Sequence, residues 1–585
     1  MLCRLIVVNA RRPWIDVKFA KGQMLTGEQF VRWNTFSRIG LAPEKGSGMM
    51  TIFIDADAST GIANFDFEHL SDKERRDLAH QGPGFVYQVR PAGKTLIIGP
   101  GGGWDVARAI ASGSKDITGV EINPIIANTI MREQYPQLSR RLYHRPEVRI
   151  VVEDGRSFVR RTNEKYQILQ ATLVDTWAST AAGAFALSEN NLYTTDAFYD
   201  YLSHLTDDGM LAFTRWGFDP PRESLRLLSL ARVALDKLGE RDHARHVMVV
   251  REGGAKELAG WGARDTVLIS RKPFGEADLE RARTAVTASQ MQIVYLPGQQ
   301  TENEFSRLIT TPNPQAFYDG YQYDVSPVGD NRPFFFYTVQ PRDLFNFVRG
   351  PSASADYKIN RAVPLLFGLM AISLAATLVT LLLPPMVLGT RLPREKDVRQ
   401  LLGYFACIGV GYILIQVSLI QKFVLLLGHP TYALTVIIFS MLVFSGLGSF
   451  MSRRITGESE QGLVRALIAA AICVAAVGVA APFLSHAGAS WPLLARGGAI
   501  ALLIAPAAFF MGMPFPIGLA RLERRHPTSV RWAWSLNAAA SVLGSASAIF
   551  LAIYLGLRET LLVGAAMYVI ASLLVKNTSP RVVSS

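Results

Sequence analysis

Cysteine is scarce in this sequence, and so are the cysteine and histidine patterns that hold metals. Three cysteines occur in 585 residues, Cys3, Cys407 and Cys473, and none forms a CxxC pair. Two of them lie inside apolar runs, where a thiol usually acts as a small hydrophobic group. The nine histidines form no HExxH motif. We therefore expect neither a disulfide framework nor a zinc site, and we assign no metal to the chain.

Long apolar runs are missing from the first 345 residues and abundant afterwards. Hydrophobic residues make up 49% of the chain and the mean hydropathy is +0.19, both high for a soluble protein of this length. A membrane-spanning helix needs ~20 mostly apolar residues. Seven candidate spans meet or approach that length: 362–388, 401–420, 431–451, 466–485, 497–519, 533–555 and 560–575. The sequence therefore predicts a multi-pass protein of the cell membrane, with a β-rich domain at 1–90, an α/β domain at 91–345 and a transmembrane domain at 346–585.

The net charge of +12 comes from 60 Lys and Arg against 48 Asp and Glu. Many of these cations flank apolar runs, as Arg391, Arg394, Lys396 and Arg399 do. Cations at the ends of spans favour contact with a lipid bilayer over contact with nucleic acid. We expect no nucleic-acid partner, and a homo-oligomer stays an open alternative.

The α/β domain carries strands that alternate with helices. Apolar strands at 94–98, 116–121, 148–153 and 166–174 are each followed by a turn, and helical patterns follow the first three. This alternation predicts a doubly wound parallel sheet. The strands end at polar residues: Gly99, Gly101, Gly102 and Gly103, then Glu121, Asp154 and Asp175. Since open α/β sheets bind ligands at the carboxyl ends of their strands, the pattern predicts a nucleotide site.

The residues after the first strand favour an amine-bearing nucleotide over a dinucleotide. Trp104 stands where the last glycine of a GxGxxG fingerprint is expected, and Asp105 follows it. A carboxylate near that helix end repels a diphosphate and suits a cationic ligand. Glu121 can accept from both ribose hydroxyls, and Asp154 can accept from an adenine amino group. We predict S-adenosylmethionine or its decarboxylated form as co-substrate.

The successive motifs LIIGPGGGWD, GVEIN, EDGRSF and VDT, followed by LYTTDAFYDYLSHLTDDGML, resemble those of polyamine aminopropyltransferases, the spermidine synthases. The likeness covers roughly residues 30–340. GDNRPFFF (329–336) and the apolar half resemble bacterial proteins that fuse such a domain to membrane helices. The resemblance implies a Rossmann-like fold of the class I methyltransferase and spermidine synthase type, a small N-terminal β-domain and a C-terminal all-α transmembrane bundle.

The resemblance also implies roles for individual residues. Gly99, Gly101, Gly102, Asp105 and Glu121 would hold the amine and ribose of the donor, and Asp154 its adenine; we expect Gly103 and Gly155 at the same site. Spermidine synthases carry a paired-acid DxxD element after the fourth strand. Here Asp175 is followed by Thr176, Trp177 and Ala178, so the second acid is missing. Asp175 is our candidate catalytic base, and the alternative is that it only holds the donor.

Three functions are compatible with these residues. The resemblance favours aminopropyl transfer from decarboxylated S-adenosylmethionine to a small amine. The missing second acid and the membrane half favour methyl transfer to a membrane-associated acceptor. Polar residues within the spans, such as Asn537 and Ser541, favour a transporter or sensor, or else bonds between helices. Tyr193 either orients the acceptor or belongs to the core.

The orientation of the spans gives two conflicting predictions. The loops after the first, third and fifth spans are basic, which places them in the cytoplasm and the N-terminal domain outside. An S-adenosyl donor is expected in the cytoplasm instead. We give the donor more weight and predict a cytoplasmic α/β domain.

Overall fold

The computed structural model describes residue 8 and residues 16–20, 23–34, 37–56, 58–174, 190–259, 262–343, 362–388, 395–457 and 459–576. Contacts within the chain divide it into two units. The α/β unit comprises Met1–Pro327 and Ser352–Arg361, and the helical unit comprises Val328–Pro351 and Ala362–Ser585. Residues 328–343 thus group with the helices, whereas the sequence predicts a boundary near residue 345.

An antiparallel β-region opens the α/β unit, in agreement with the sequence prediction. It contains a two-stranded pair, β1 (Phe19–Ala20) and β2 (Gln23–Met24), and a four-stranded sheet in the order β3 (Phe30–Trp33), β4 (Arg38–Pro43), β5 (Met50–Ile54) and β6 (Ala58–Gly61). Ile39, Leu41 and Ile52 are fully buried in the hydrophobic core. Because that core also contains residues from the main sheet, the β-region packs as part of one α/β unit.

The main sheet has eight strands. They are β7 (Thr95–Ile98), β8 (Ile117–Glu121), β9 (Val148–Val152), β10 (Tyr166–Thr172), β11 (Leu205–Gly217), β12 (Val247–Glu252), β13 (Ala263–Ser270) and β14 (Met291–Tyr295). Their order is β14-β12-β13-β11-β10-β7-β8-β9, with β9, β8, β7, β10 and β11 parallel. The central strands are buried on both faces, which their near-continuous apolar sequences require. The predicted Rossmann-like fold is therefore confirmed.

Helices flank this sheet. They are α1 (Asp72–Ala79), α2 (Phe85–Val89), α3 (Trp104–Ala111), α4 (Gly155–Arg161), α5 (Thr195–Ser203), α6 (Glu223–Lys237), α7 (Ala255–Ala259), α8 (Glu276–Thr287), α9 (Glu304–Thr310) and α10 (Pro314–Gly320), and a π-helix spans Ile125–Gln134. Side-chain caps fix several starts: Ser71 and Glu74 form a capping box on α1, and Thr194 caps α5. These caps fix the first turns of α1 and α5.

The helical unit is built from long apolar helices. They are α11 (Ala362–Leu388), α12 (Lys396–Leu427), α13 (Pro430–Thr456), α14 (Glu460–Ala487), α15 (Leu493–Gly512), α16 (Pro514–Arg525), α17 (Val530–Tyr554) and α18 (Leu557–Lys576). Among the described residues, six helical stretches are long and apolar enough to cross a membrane, with α15 and α16 counted together. The first predicted span, 362–388, coincides with α11, whose apolar stretch Leu366–Val379 is too short to be counted among the six. Large apolar side chains face outward, including Phe450 and Phe483, which are 77% and 73% exposed. Such an apolar surface is suited to contact with the lipid of a bilayer.

Small and polar residues join these helices. A Cβ added at Gly448 would overlap the Phe509 carbonyl oxygen, so α13 and α15 pack backbone against backbone. The Asn537 side chain of α17 donates to the Phe405 carbonyl of α12 at 2.9 Å, and Ser541 donates to Gly409 at 3.3 Å. These contacts support the interpretation that Asn537 and Ser541 hold the bundle together.

The start of the last helix is capped from a distant part of the chain. The Asn331 backbone oxygen accepts from the Leu557 N–H at 2.7 Å, and its side-chain oxygen accepts from the Arg558 N–H at 2.8 Å. Its side-chain nitrogen donates to Glu559 at 2.5 Å. Because the first N–H groups of a helix have no partner within it, Asn331 acts as the cap of α18.

Candidate functional site

The predicted site residues that the structure describes lie at or next to the carboxyl edge of the parallel strands. β7 lies between β8 and β10, so the chain builds the sheet outward in one direction and then in the other. This reversal is the switch point at which open α/β sheets bind ligands. Residues 99–103, which we call the glycine turn, follow β7 directly at that point.

The glycine turn is clamped by the N-terminal β-region. The Gly102 N–H donates to the Thr60 hydroxyl at 3.1 Å, and the Gly102 carbonyl accepts from the Ala63 N–H at 2.9 Å. A Cβ at Gly102 would overlap the Gly61 carbonyl oxygen. Only glycine therefore permits this approach. The sequence motif predicts the turn, but nothing in it indicates that β6 forms its wall.

Glu121 ends β8 beside the glycine turn. One carboxylate oxygen accepts from the Gly101 N–H at 3.1 Å and the other from the Asn123 N–H at 2.9 Å. The residue is 5% exposed, and burial raises the pKa of the Glu121 carboxyl above its usual range, although its hydrogen bonds with the Asn123 and Gly101 N–H groups oppose the shift. A carboxylate has about four acceptor positions, so each oxygen keeps one for a ligand hydroxyl.

The residues after Glu121 contribute features that we did not predict. Asn123 accepts from the Ile125 N–H at 3.0 Å, as expected of a helix cap, but it also bonds the β3–β4 turn. Its side chain accepts from Asn34 at 3.0 Å and donates to Ser37 at 2.9 Å. Ile122, between two buried polar residues, is 41% exposed. An exposed apolar side chain at this edge suits the face of a nucleotide base.

Asp154 and Gly155 lie where β9 gives way to α4. The Asp154 carboxylate caps α4 by accepting from the Ser157 N–H at 2.8 Å, and burial raises the pKa of Asp154. A Cβ at Gly155 would lie 2.5 Å from the Ile98 side chain, so this glycine lets α4 pack onto the end of β7. Binding of adenine by Asp154 stays a prediction.

Asp105 has a partner that the sequence prediction did not include. Its carboxylate accepts from the Arg108 guanidinium at 2.6 Å, and the same guanidinium donates to the Gln81 side chain. Both members of the ion pair are over 90% buried. Asp105 thus lies in the predicted position on the first turn of α3, with its charge already compensated.

The end of β10 is described only as far as Val174. The candidate base Asp175 lies outside the described residues, as do residues 176–189. Tyr193, which follows, is fully buried; its hydroxyl donates to the Val174 carbonyl at 2.6 Å and its ring lies beneath the Arg215 guanidinium at 5.3 Å. These contacts place Tyr193 in the core, so the interpretation that it orients an acceptor was wrong.

The fold and this edge define a Rossmann-like unit with a candidate ligand site at its strand ends. The chain matches no protein-family model and no curated protein. Solved structures similar to it include a spermidine synthase in complex with the transition state analogue AdoDATO, at 15% identity and a TM-score of 0.31, covering 50% of this chain and 87% of that one. The spermidine synthase from Thermotoga maritima matches at 14% identity with a TM-score of 0.31, and the match covers 51% of this chain and 90% of that one. A probable spermidine synthase from Corynebacterium glutamicum matches at 16% identity with a TM-score of 0.32, and the match covers 48% of this chain and 94% of that one.

Proposed function

We propose that this chain is a membrane-bound transferase that uses an S-adenosyl donor. The observation that carries the proposal is the Glu121 carboxylate, fixed by two backbone N–H groups beside the glycine turn at the switch point. Its two remaining acceptor positions suit the adjacent hydroxyls of a ribose. The exposed Ile122 side chain suits the adenine face, and the half-buried Asp154 carboxylate suits the adenine amino group.

Aminopropyl transfer is the reaction that the motif resemblance favours. The nitrogen lone pair of an uncharged amine attacks the aminopropyl carbon bound to the sulfonium. The carbon–sulfur bond breaks, its electron pair passes to sulfur, and methylthioadenosine leaves. The nitrogen then loses a proton, and Asp175 is the candidate to accept it.

Methyl transfer is the second candidate, and two observations favour it. The acid expected three residues after Asp175 is replaced by Ala178. The helical unit, with six stretches able to cross a membrane, suits an acceptor that resides in the bilayer. In either case we place the α/β unit in the cytoplasm, because an S-adenosyl donor is expected there.

One incubation distinguishes the candidates. Detergent-purified chain is mixed with S-adenosylmethionine or decarboxylated S-adenosylmethionine, together with polyamines and membrane lipids, and the sulfur-containing product is identified by mass spectrometry. Methylthioadenosine from the decarboxylated donor establishes aminopropyl transfer, and S-adenosylhomocysteine establishes methyl transfer. Binding without either product supports a sensor or transporter. Absence of binding by either donor refutes the proposal.

A further inference from the structure

The first turn of α3 carries a buried ion pair directly below the glycine turn. Asp105 and Arg108 lie 2.6 Å apart, with their side chains 7% and 6% exposed. Arg108 also donates to Gln81 and lies over the Trp104 ring at 5.7 Å. Three residues therefore contact the Arg108 guanidinium, and its pair with Asp105 has no net charge.

This pairing changes what Asp105 can bind. A ligand ammonium that approached the carboxylate would have to displace the guanidinium, leaving a buried cation without its partner. Separating a buried ion pair is strongly unfavourable. The Asp105 carboxylate, which the sequence prediction assigns to the donor amine, is therefore already neutralised by Arg108.

The other described carboxylates at this edge are also engaged. Glu121 accepts two backbone N–H groups and faces the ribose position, and Asp154 caps α4. Glu153, which directly follows β9, pairs with the Arg161 guanidinium. Within residues 95–174, each carboxylate at the strand ends thus already has a partner in the protein. The sequence beyond supplies Asp175 without the second acid of a DxxD element.

The two candidate donors differ in charge. S-adenosylmethionine carries a sulfonium, an ammonium and a carboxylate, for a net charge of about +1. The decarboxylated form lacks the carboxylate and has a net charge of about +2. Because Arg108 neutralises Asp105, the site suits S-adenosylmethionine, whose own carboxylate balances its ammonium charge.

We propose that Arg108 sets the donor class of this site, so that it takes S-adenosylmethionine and transfers a methyl group. The inference rests on the proposed function. An acceptor lone pair attacks the methyl carbon, the carbon–sulfur bond breaks towards sulfur, and S-adenosylhomocysteine leaves. The proton lost by the acceptor passes to water. Arg108 acts through Asp105 and is a positioning residue.

Calorimetric titration of the detergent-purified chain with three probes tests the inference. Methylthioadenosine reports nucleoside binding alone, and the two donors report the effect of the carboxylate. We expect S-adenosylmethionine to bind at least about tenfold more tightly than the decarboxylated donor, the effect of about one charged hydrogen bond. Equal or tighter binding of the decarboxylated donor overturns the inference and leaves the proposed function intact. No binding by any probe refutes both.

Two variants at the same position separate this role from a structural one. Arg108→Gln removes the cation and should shift the ratio of the two dissociation constants about tenfold towards the decarboxylated donor. Arg108→Lys keeps the charge and should keep the wild-type ratio. An unchanged ratio in Arg108→Gln contradicts the assigned role. If that variant does not fold, the wild-type comparison still decides which donor the site prefers.

Discussion

Replacing Glu121 by glutamine should weaken donor binding by roughly 10- to 150-fold. Two ribose hydroxyls that donate to an ionised carboxylate contribute about 1.5–3 kcal/mol each, and a neutral acceptor about half of that. The expected loss is therefore about 1.5–3 kcal/mol over both bonds. The new amide NH₂ also faces one of the two backbone N–H groups that the carboxylate now accepts, so this range is a lower estimate.

Calorimetry with S-adenosylhomocysteine and methylthioadenosine provides the measurement, because both probes carry the ribose. Asp116→Asn is the matched control: Asp116 precedes β8 at the opposite edge of the sheet, where it pairs with Lys94 at 3.0 Å. That variant should bind like the wild type. A Glu121→Gln chain with an unchanged melting temperature and affinity within about threefold of wild type would refute the assignment of the ribose to Glu121.

The same carboxylate predicts how binding depends on pH. Burial raises the pKa of Glu121 above the ordinary value of 4.5, and ribose hydroxyls donate to the charged form. Protonation removes that acceptor, so donor affinity should fall as the pH falls through the raised pKa. Affinity measured between pH 4 and 8 should show a midpoint above 4.5, and Glu121→Gln should lose this dependence. A wild-type midpoint at or below 4.5 contradicts the assignment.

Two further substitutions test the packing around the site and within the helical unit. Gly102→Ala places a Cβ against the Gly61 carbonyl oxygen and should lower stability by about 2 kcal/mol or more and weaken donor binding, whereas Gly275→Ala meets nothing within 4 Å and should leave donor binding unchanged. Differential scanning calorimetry and titration would report both. Asn331→Ala removes the cap of the last helix and should cost the helical unit about 1–2 kcal/mol. Thermal unfolding checks this against the exposed control Gln461→Ala, and equal melting temperatures would exclude the capping role.

Local sequence patterns were sufficient to predict the parallel sheet and several of the residues at its carboxyl edge. The strand ends at the glycine turn, Glu121 and Asp154 follow from apolar runs that stop at polar residues, and the structure brings them to one edge. The partner of Asp105 was missed although the signal was present: Asp105 and Arg108 stand three residues apart on one helix face.

Other features of the site depend on residues far apart in sequence. Thr60 meets Gly102 across 42 positions, and Asn34 meets Asn123 across 89. No periodicity or motif connects such pairs, because each depends on how the β-region packs against the sheet. The burial of Tyr193 could not be predicted for the same reason, since its neighbours Arg215 and Phe213 come from β11.

The cap on the last helix has a consequence for biogenesis. Arg558 follows Asn331 by 227 residues, so a ribosome that adds roughly 5–20 residues per second makes the acceptor roughly 10–45 s before its donor. During that interval the earlier helices can insert, although Asn331 does not yet have the N–H groups of α18 as partners. Arrival of Leu557 then joins α18 to residue 331, near the beginning of the helical unit.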